Sequence, residues 1–148
     1  MNEVGKAVKC AVAAVVVHPE DPRAFLVVQR PPDDDRLPNV WGLPAVSLLP
    51  GELPEAAVRR IGREKLTTEI EPVRFIGIKS MDRGDHELIL MDIEARLVGG
   101  EPDVRRAPTE RTKYVDQRWT RDPAELRDAA RKGSVCSQVL LEARGVSY

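Results

Sequence analysis

The chain is short of several things, and each shortage excludes a class of protein. It has two cysteines, Cys10 and Cys136, near opposite ends of 148 residues. Two thiols build neither a disulfide framework nor a zinc-ligand set, so a reducing compartment, the cytoplasm, is expected. Aromatic residues make up 4% of the chain, too few for the stacking platforms that hold single-stranded nucleic acid. Neither sign of charge is in excess: 23 Lys and Arg stand against 24 Asp and Glu, for a net charge of −1, which argues against general nucleic-acid binding. No apolar run reaches the ~18 residues of a membrane span. The opening Met1-Asn2-Glu3-Val4-Gly5-Lys6 lacks the charged-then-apolar layout of a signal peptide. Side-chain amides are confined to Asn2, Gln29, Asn39, Gln117 and Gln138, a bias that a hot habitat and a GC-rich genome would each produce. What remains is one domain, 42% hydrophobic and 32% charged, acting on something small or on nothing. A chain of this length buries roughly 68–70% of its unfolded surface.

What is present orders itself along the chain. Val8–Val17 and Phe25–Gln29 are apolar, β-branched runs without polar alternates, the pattern of strands covered on both faces. A loop from Arg30 to Pro50 follows, punctuated by five prolines and carrying Asp33-Asp34-Asp35, most simply a solvated turn. From Pro54 to about Leu66 the pattern is helical, with proline suited to the first position and Glu55 in the positively polarised first turn. Gly62 weakens that helix by about 1 kcal/mol relative to alanine, so its presence suggests close packing against another backbone. Val73–Ile78, Glu87–Leu97 and Lys113–Thr120 read as strands, the second half-solvated. Asp122-Pro123-Ala124-Glu125 caps a helix that Gly133 stops, and Ser134–Ala143 forms a last helix ended by Gly145. The order of strands, helix, strands and helices gives a mixed α/β domain over residues 1–148.

The chemically informative stretch contains Val27-Val28-Gln29-Arg30, then Trp41-Gly42-Leu43-Pro44, then Pro50-Gly51-Glu52, and then Arg60 and Glu64 on the helix. It resembles the Nudix family, defined by a loop–helix–loop box of the form G-x5-E-x7-R-E-U-x-E-E-x-G-U, here at about residues 46–68. Gly100-Glu101-Pro102 and Arg118-Trp119 extend the likeness over about Val8 to Leu141. The resemblance implies a mixed sheet flanked by helices in an α/β/α sandwich. Matched residue by residue, Glu52, Arg60 and Glu64 keep their box identities. The opening glycine is Val46, the glutamate after the arginine is Ile61, the second of the paired glutamates is Lys65, and the closing glycine is Thr67.

In the family, three helix carboxylates converge on magnesium ions that grip a diphosphate and activate water. Residues three and four apart share a helix face, so positions 61, 64 and 65 would together meet one ion. Ile61 supplies no ligand. Lys65 puts a positive charge there unless its long stem swings to solvent. The resemblance assigns catalysis to Glu64, with Glu52 and Arg60 in support. It implies a Mg2+ or Mn2+ site, for which Glu64, Glu52 and Asp116 are the candidate ligands, and substrate contacts from Arg30 and Trp41; Asp92 and Glu94, which share one face of the Glu87–Leu97 strand, are further candidates. It implies a metal-assisted hydrolase of a nucleoside diphosphate linked to another group. The alternative is a catalytically inactive Nudix-like ligand-binding or regulatory domain, which holds a nucleotide or other small ligand in the cleft or pairs with a partner. A homodimer is common among proteins of this kind. Blander readings stand beside these. Arg60 and Glu64 alone would make an i,i+4 surface pair worth roughly 0.3–0.5 kcal/mol. Arg30 grips a phosphate or is simply solvated. His86 faces solvent, Trp41 and Trp119 pack, and Cys136 is buried and inert.

Overall fold

The structure is a computed structural model and describes residues 5–148. Met1–Val4, on which most of the signal-peptide reading rests, lie outside the described residues. The strands are β1 (Ala7–His18), β2 (Asp21–Gln29), β3 (Trp41–Gly42), β4 (Ala45–Ser47), β5 (Ile70–Asp82), β6 (His86–Leu97) and β7 (Asp116–Thr120). The helices are α1 (Pro54–Ile61), α2 (Arg127–Arg131) and α3 (Val135–Ala143).

Strand β1 organises the domain because both of its faces are buried over Ala11–Val16, as the apolar run predicts, although Val8 and Lys9 at its start are exposed. Val12, Ala14 and Val16 face a core completed by Val58, Ile61 and Leu66. Ala11, Ala13 and Val15 face the other core, with Val139 and Leu140 of α3. Helices therefore cover the two sides of a seven-stranded mixed sheet of order β3-β2-β1-β6-β5, the expected α/β/α arrangement. β1 runs parallel to β6 from Ala7↔His86 to Val17↔Arg96. It pairs with β2 only at Val17↔Phe25 and His18↔Asp21. Beyond that point the two strands part: β4 takes up the freed edge of β1 and β3 that of β2, while β7 pairs along the opposite edge of β2.

Five local features differ from the sequence reading. Asp122 caps a 3-10 turn over Pro123–Leu126, and α2 begins only at Arg127. The long loop holds the short strands β3 and β4, too brief for any periodicity to register. β5 starts at Ile70 rather than Val73 and runs to Asp82 along the sheet edge, where Pro72 costs no ladder bond to a further strand. Its Val73, Phe75 and Ile78 are exposed. β7 begins at Asp116, because Thr112 has φ 45° and turns the chain out of extended geometry. Finally, the helix does not stay α-helical to Leu66. Residues Gly62–Leu66 form a wider π turn, a form often found at functional sites.

The reason for Gly62 is visible at that turn. The chain folds back, with Thr68 N donating to Gly62 O at 3.0 Å. A Cβ on residue 62 would lie 2.7 Å from the Thr68 carbonyl oxygen and 2.9 Å from Ile70 Cγ1. Thr67 follows in the left-handed region, with φ 51° and ψ 38°, the conformation that explains a glycine at the close of the box. The threonine holds it with its hydroxyl, which donates to the carbonyls of Leu66 and Asp103. Helix propensity alone makes Gly62→Ala stabilising by about 1 kcal/mol. Overpacking against a backbone carbonyl makes it destabilising by about 1–3 kcal/mol. The expected outcome is a lower urea midpoint for the alanine variant.

Candidate functional site

A type II turn presents the first box residue. Pro50 and Gly51, with φ 76° at the glycine, bring Glu52 N to donate to Leu49 O at 2.9 Å. The Glu52 carboxylate turns back over the same turn and accepts from Leu49 N at 3.1 Å. It then meets Arg60 two-pronged: Nε to Oε2 at 2.9 Å and Nη2 to Oε1 at 2.9 Å. Arg60 also donates through Nη2 to the Ser47 carbonyl at 2.7 Å and through Nη1 to Glu64 at 3.1 Å. The guanidinium thus ties β4, the turn and the helix together. Both Glu52 and Arg60 side chains are largely buried, at 12% and 13% exposure, whereas Glu64 is 45% exposed. The Arg60 hydrogen bonds hold the Glu52 carboxyl below its ordinary pKa, and the Glu52 bonds raise that of Arg60. Glu52 is therefore a brace with both oxygens engaged.

The three positions expected to share a carboxylate face point three ways. Ile61 is fully buried in the α1-side core. Glu64 reaches the mouth of a cleft beside α1. Lys65 does not swing to solvent: the residue is 5% exposed, and its ammonium is enclosed by the segment that precedes β7. It donates to the carbonyls of Arg111 and of Thr112, the latter at 3.2 Å, and lies 3.4 Å from Thr109 Oγ1. The Tyr114 ring centroid is 5.7 Å away. Burial lowers the pKa of this ammonium to about 8, against the upward pull of Glu64. Tyr114 itself is 2% exposed, and its hydroxyl accepts from Ala45 N at 3.0 Å, linking the segment to β4.

The expected metal set is not assembled. Asp116 lies at the start of β7 and outside the cleft. Its carboxylate accepts from its neighbour Gln117 N at 2.8 Å and stands 3.8 Å from Arg105. Glu52 is committed to Arg60, and Glu94 pairs with Arg74 at 2.9 Å. Asp92 is fully buried, and neither carboxylate oxygen has a hydrogen-bond partner. It lies in the interior, on the odd-numbered face of the sheet partners it meets, Ala13 and Gly77. Among the described residues, no three His, Cys, Asp or Glu side chains come together in a way that would hold a metal ion.

Of the other expectations, the packing of Trp119 and the burial of Cys136 hold, and those for His86, Asp34 and a substrate contact from Trp41 do not. Trp41 is not among the cleft residues; its ring packs beneath Arg118, whose guanidinium carbon is 4.2 Å from the ring centroid. Trp119 packs too, edge-on to His18 with ring centroids 4.7 Å apart. His86 is not solvent-facing. It is 9% exposed, lines the cleft and pairs through Nδ1 with Asp85 at 2.6 Å. Asp34 is no solvated turn residue either. Its side chain is 8% exposed and accepts from Leu37 N at 2.9 Å and from Arg30 at 3.2 Å. Cys136 is buried at the cleft end of α3, where burial and the nearby Asp92 push its thiol pKa up.

The cleft has a volume of about 680 Å³, within the size range of small-molecule sites. Arg30 lies in it, as expected, together with Arg36, Arg83 and Arg111, which sequence reasoning did not single out. Seven of its lining residues are Lys or Arg and two, Glu64 and Glu110, are acidic. Among the described residues, Arg36 and Arg83 have no carboxylate partner; Arg83 donates to the Gly133 carbonyl at 3.0 Å. Burial, with Arg36 and Arg30 nearby, lowers the Arg83 pKa. A site with this charge is built to receive an anion. No spacing in the sequence joins residues 30, 36, 83 and 111; the β1–β6 pairing and the β5–β6 hairpin bring in Arg83, and the β2–β7 pairing brings the segment carrying Arg111 beside Arg30. Lys65 did carry a signal, a basic residue at an acidic box position.

The NUDIX domain family model matches residues 9–134 of the chain, and the chain belongs to that family of hydrolases. No curated protein sequence matches it. Solved structures share the fold. The solution structure of the E. coli ORF135 protein superposes with a TM-score of 0.69 at 18% identity, covering 94% of this chain and 92% of that one. A NUDIX hydrolase from Nitrosomonas europaea gives 0.69 at 21%, covering 93% and 88%. An ADP-ribose pyrophosphatase from Streptococcus suis gives 0.60 at 19%, covering 95% and 94%. Nudix hydrolases generally use divalent metal ions, but the donor set of this chain does not fit one: a single carboxylate, Glu64, keeps company with a buried ammonium and an apolar side chain.

Glu52→Ala leaves Arg60 without its two-pronged partner and costs about 2 kcal/mol, whereas Glu64→Ala loses one half-exposed pair worth less than about 0.5 kcal/mol; urea unfolding separates them. Burial raises the Asp92 pKa well above its ordinary value. The folded state therefore keeps that proton over a pH window in which the unfolded state has lost it. Between the unfolded and folded pKa values, wild-type stability falls by about 1.4 kcal/mol per pH unit relative to Asp92→Leu. The variant's advantage in thermal unfolding should grow as pH rises from 4 and close as it returns there.

Proposed function

We propose that this Nudix protein binds a nucleoside diphosphate linked to another group, and that the diphosphate is held by the side chains of the cleft rather than by carboxylate-bound metal. The observation that carries the reading is the charge of the cleft, seven basic residues against two acidic ones in a chain whose net charge is −1. Guanidinium groups suit this task because their forked donors match phosphate oxygens. Arg30, Arg36 and Arg83 are the residues assigned to the anion. Arg60 is not, because its donors are spent on Glu52, Ser47 and Glu64.

A second reading, metal-assisted attack of water on phosphorus, is favoured by one observation: Glu64 keeps its box position and a half-exposed carboxylate at the cleft mouth. Its difficulty is coordination, since magnesium is held by several hard oxygen ligands and one carboxylate supplies few of them. The cytoplasmic assignment draws support from two free thiols, and no helix among the described residues is long and apolar enough to cross a membrane. For the expected homodimer, the exposed Val73, Phe75 and Ile78 of the β5 edge are the natural contact.

The test pairs binding with turnover. A panel of nucleoside diphosphate compounds, ADP-ribose among them, is titrated calorimetrically in chelator and assayed for phosphate or nucleotide release with Mg2+ and Mn2+, beside Arg83→Ala and Glu64→Gln. The reading predicts binding in chelator that Arg83→Ala weakens by about tenfold, with no metal-dependent release. Metal-dependent release that Glu64→Gln abolishes would establish the second reading in its place.

A further inference from the structure

The misfit between the donor set and a metal ion has a positive counterpart in the same place. At box position 65 the family carries a glutamate and this chain carries a lysine. The exchange moves the local charge by two units, the charge of one magnesium ion. The ammonium is also held as a cation is held, by oxygen atoms: the carbonyls of Arg111 and Thr112 and the hydroxyl of Thr109. Thr112 is bent into the left-handed region, φ 45°, in the course of presenting its carbonyl. A β-branched residue adopts that conformation only when its surroundings hold it there. The Tyr114 ring, 5.7 Å from the ammonium, covers a further side with its electron-rich face.

We propose that Lys65 is the resident cation of the cleft: its ammonium organises the 109–112 segment and supplies the positive charge that a divalent ion would otherwise bring, so that phosphate binding needs no metal. The inference rests on the reading of the cleft as a diphosphate site. Three oxygen acceptors answer the three donors of the ammonium, so Lys65 is a positioning residue. It fixes the segment that carries Arg111 along the cleft wall, and its charge adds to those of Arg30 and Arg60. Ile61 fits the same arrangement. With no ion to ligate, position 61 joins the core, where it is fully buried.

Inorganic pyrophosphate is the probe. Its binding to the full chain is measured calorimetrically in chelator and in excess Mg2+, for the wild type and for Lys65→Met, Lys65→Arg and Lys65→Glu, with thermal unfolding as the folding control. Because Mg2+ itself complexes pyrophosphate and reduces its charge, the expected wild-type binding in chelator is at least as tight as in excess Mg2+. Lys65→Met weakens it by about tenfold, Lys65→Arg restores much of the loss, and Lys65→Glu binds only when Mg2+ is present. Limited trypsin digestion at Arg111 and Lys113 should accelerate in Lys65→Met and not in Lys65→Arg. Lys65→Met that binds in chelator as the wild type does would overturn the resident cation and leave the diphosphate site standing, whereas wild-type binding that appears only with Mg2+ would overturn both. No binding in either condition would overturn the site itself. Should the position 65 variants fail to fold, Thr109→Ala, which removes the side-chain acceptor of the ammonium, replaces them: weaker binding with faster cleavage at Arg111 supports the resident cation, and unchanged binding and cleavage overturn it.

Discussion

A buried ammonium has to be matched by oxygen atoms, and in this protein that requirement shapes the site. Lys65 is enclosed by the segment before β7, whose carbonyls turn toward it. Water is a better solvent for an ammonium than most protein interiors, and burial accordingly brings its pKa down to about 8. The segment meets that cost with two carbonyls, a hydroxyl and an aromatic face. Tyr114, which provides the face, also holds β4 through Ala45 N. The wall of the cleft and its floor are thereby one connected unit.

The second constraint is the Glu52–Arg60 pair. Its bonds to Leu49 and Ser47 fix the approach of the chain to α1, and α1 in turn is fixed by the burial of Val58 and Ile61 against β1. Retention of these two residues is explained by their structural work alone, whatever happens at phosphorus. The chemistry of the family depends on carboxylates on the next helical turn, and there the chain has changed sign. A scaffold and its brace persist, while the ion-holding face has become a cation flanked by arginines.

How much of this was legible in the sequence varied with the physics of each part. The two-faced burial of β1 was, because a strand packed on both sides admits no polar alternates. The role of Gly62 was, because a glycine inside a helix needs a reason and close backbone approach is the usual one. The rotation of positions 61, 64 and 65 away from one another was not. It depends on a π turn, and that turn depends on where the chain after Thr67 folds back. Asp34 and His86 read as solvent-facing from their charged neighbours, yet tertiary packing buried both. The arginines of the cleft come from four separate segments, so only the tertiary fold brings them together. Asp116 and Trp41 carried family-like positions, but β-strand register turns them to other surfaces.

The central claim is that the cleft receives a diphosphate on side-chain cations with no metal between. Diffraction from crystals grown with pyrophosphate and Mn2+, recorded at the manganese absorption edge, tests it directly. The account predicts pyrophosphate density against Arg30, Arg36 and Arg83 and no anomalous peak in the cleft. A manganese peak bridging Glu64 and the pyrophosphate would contradict it.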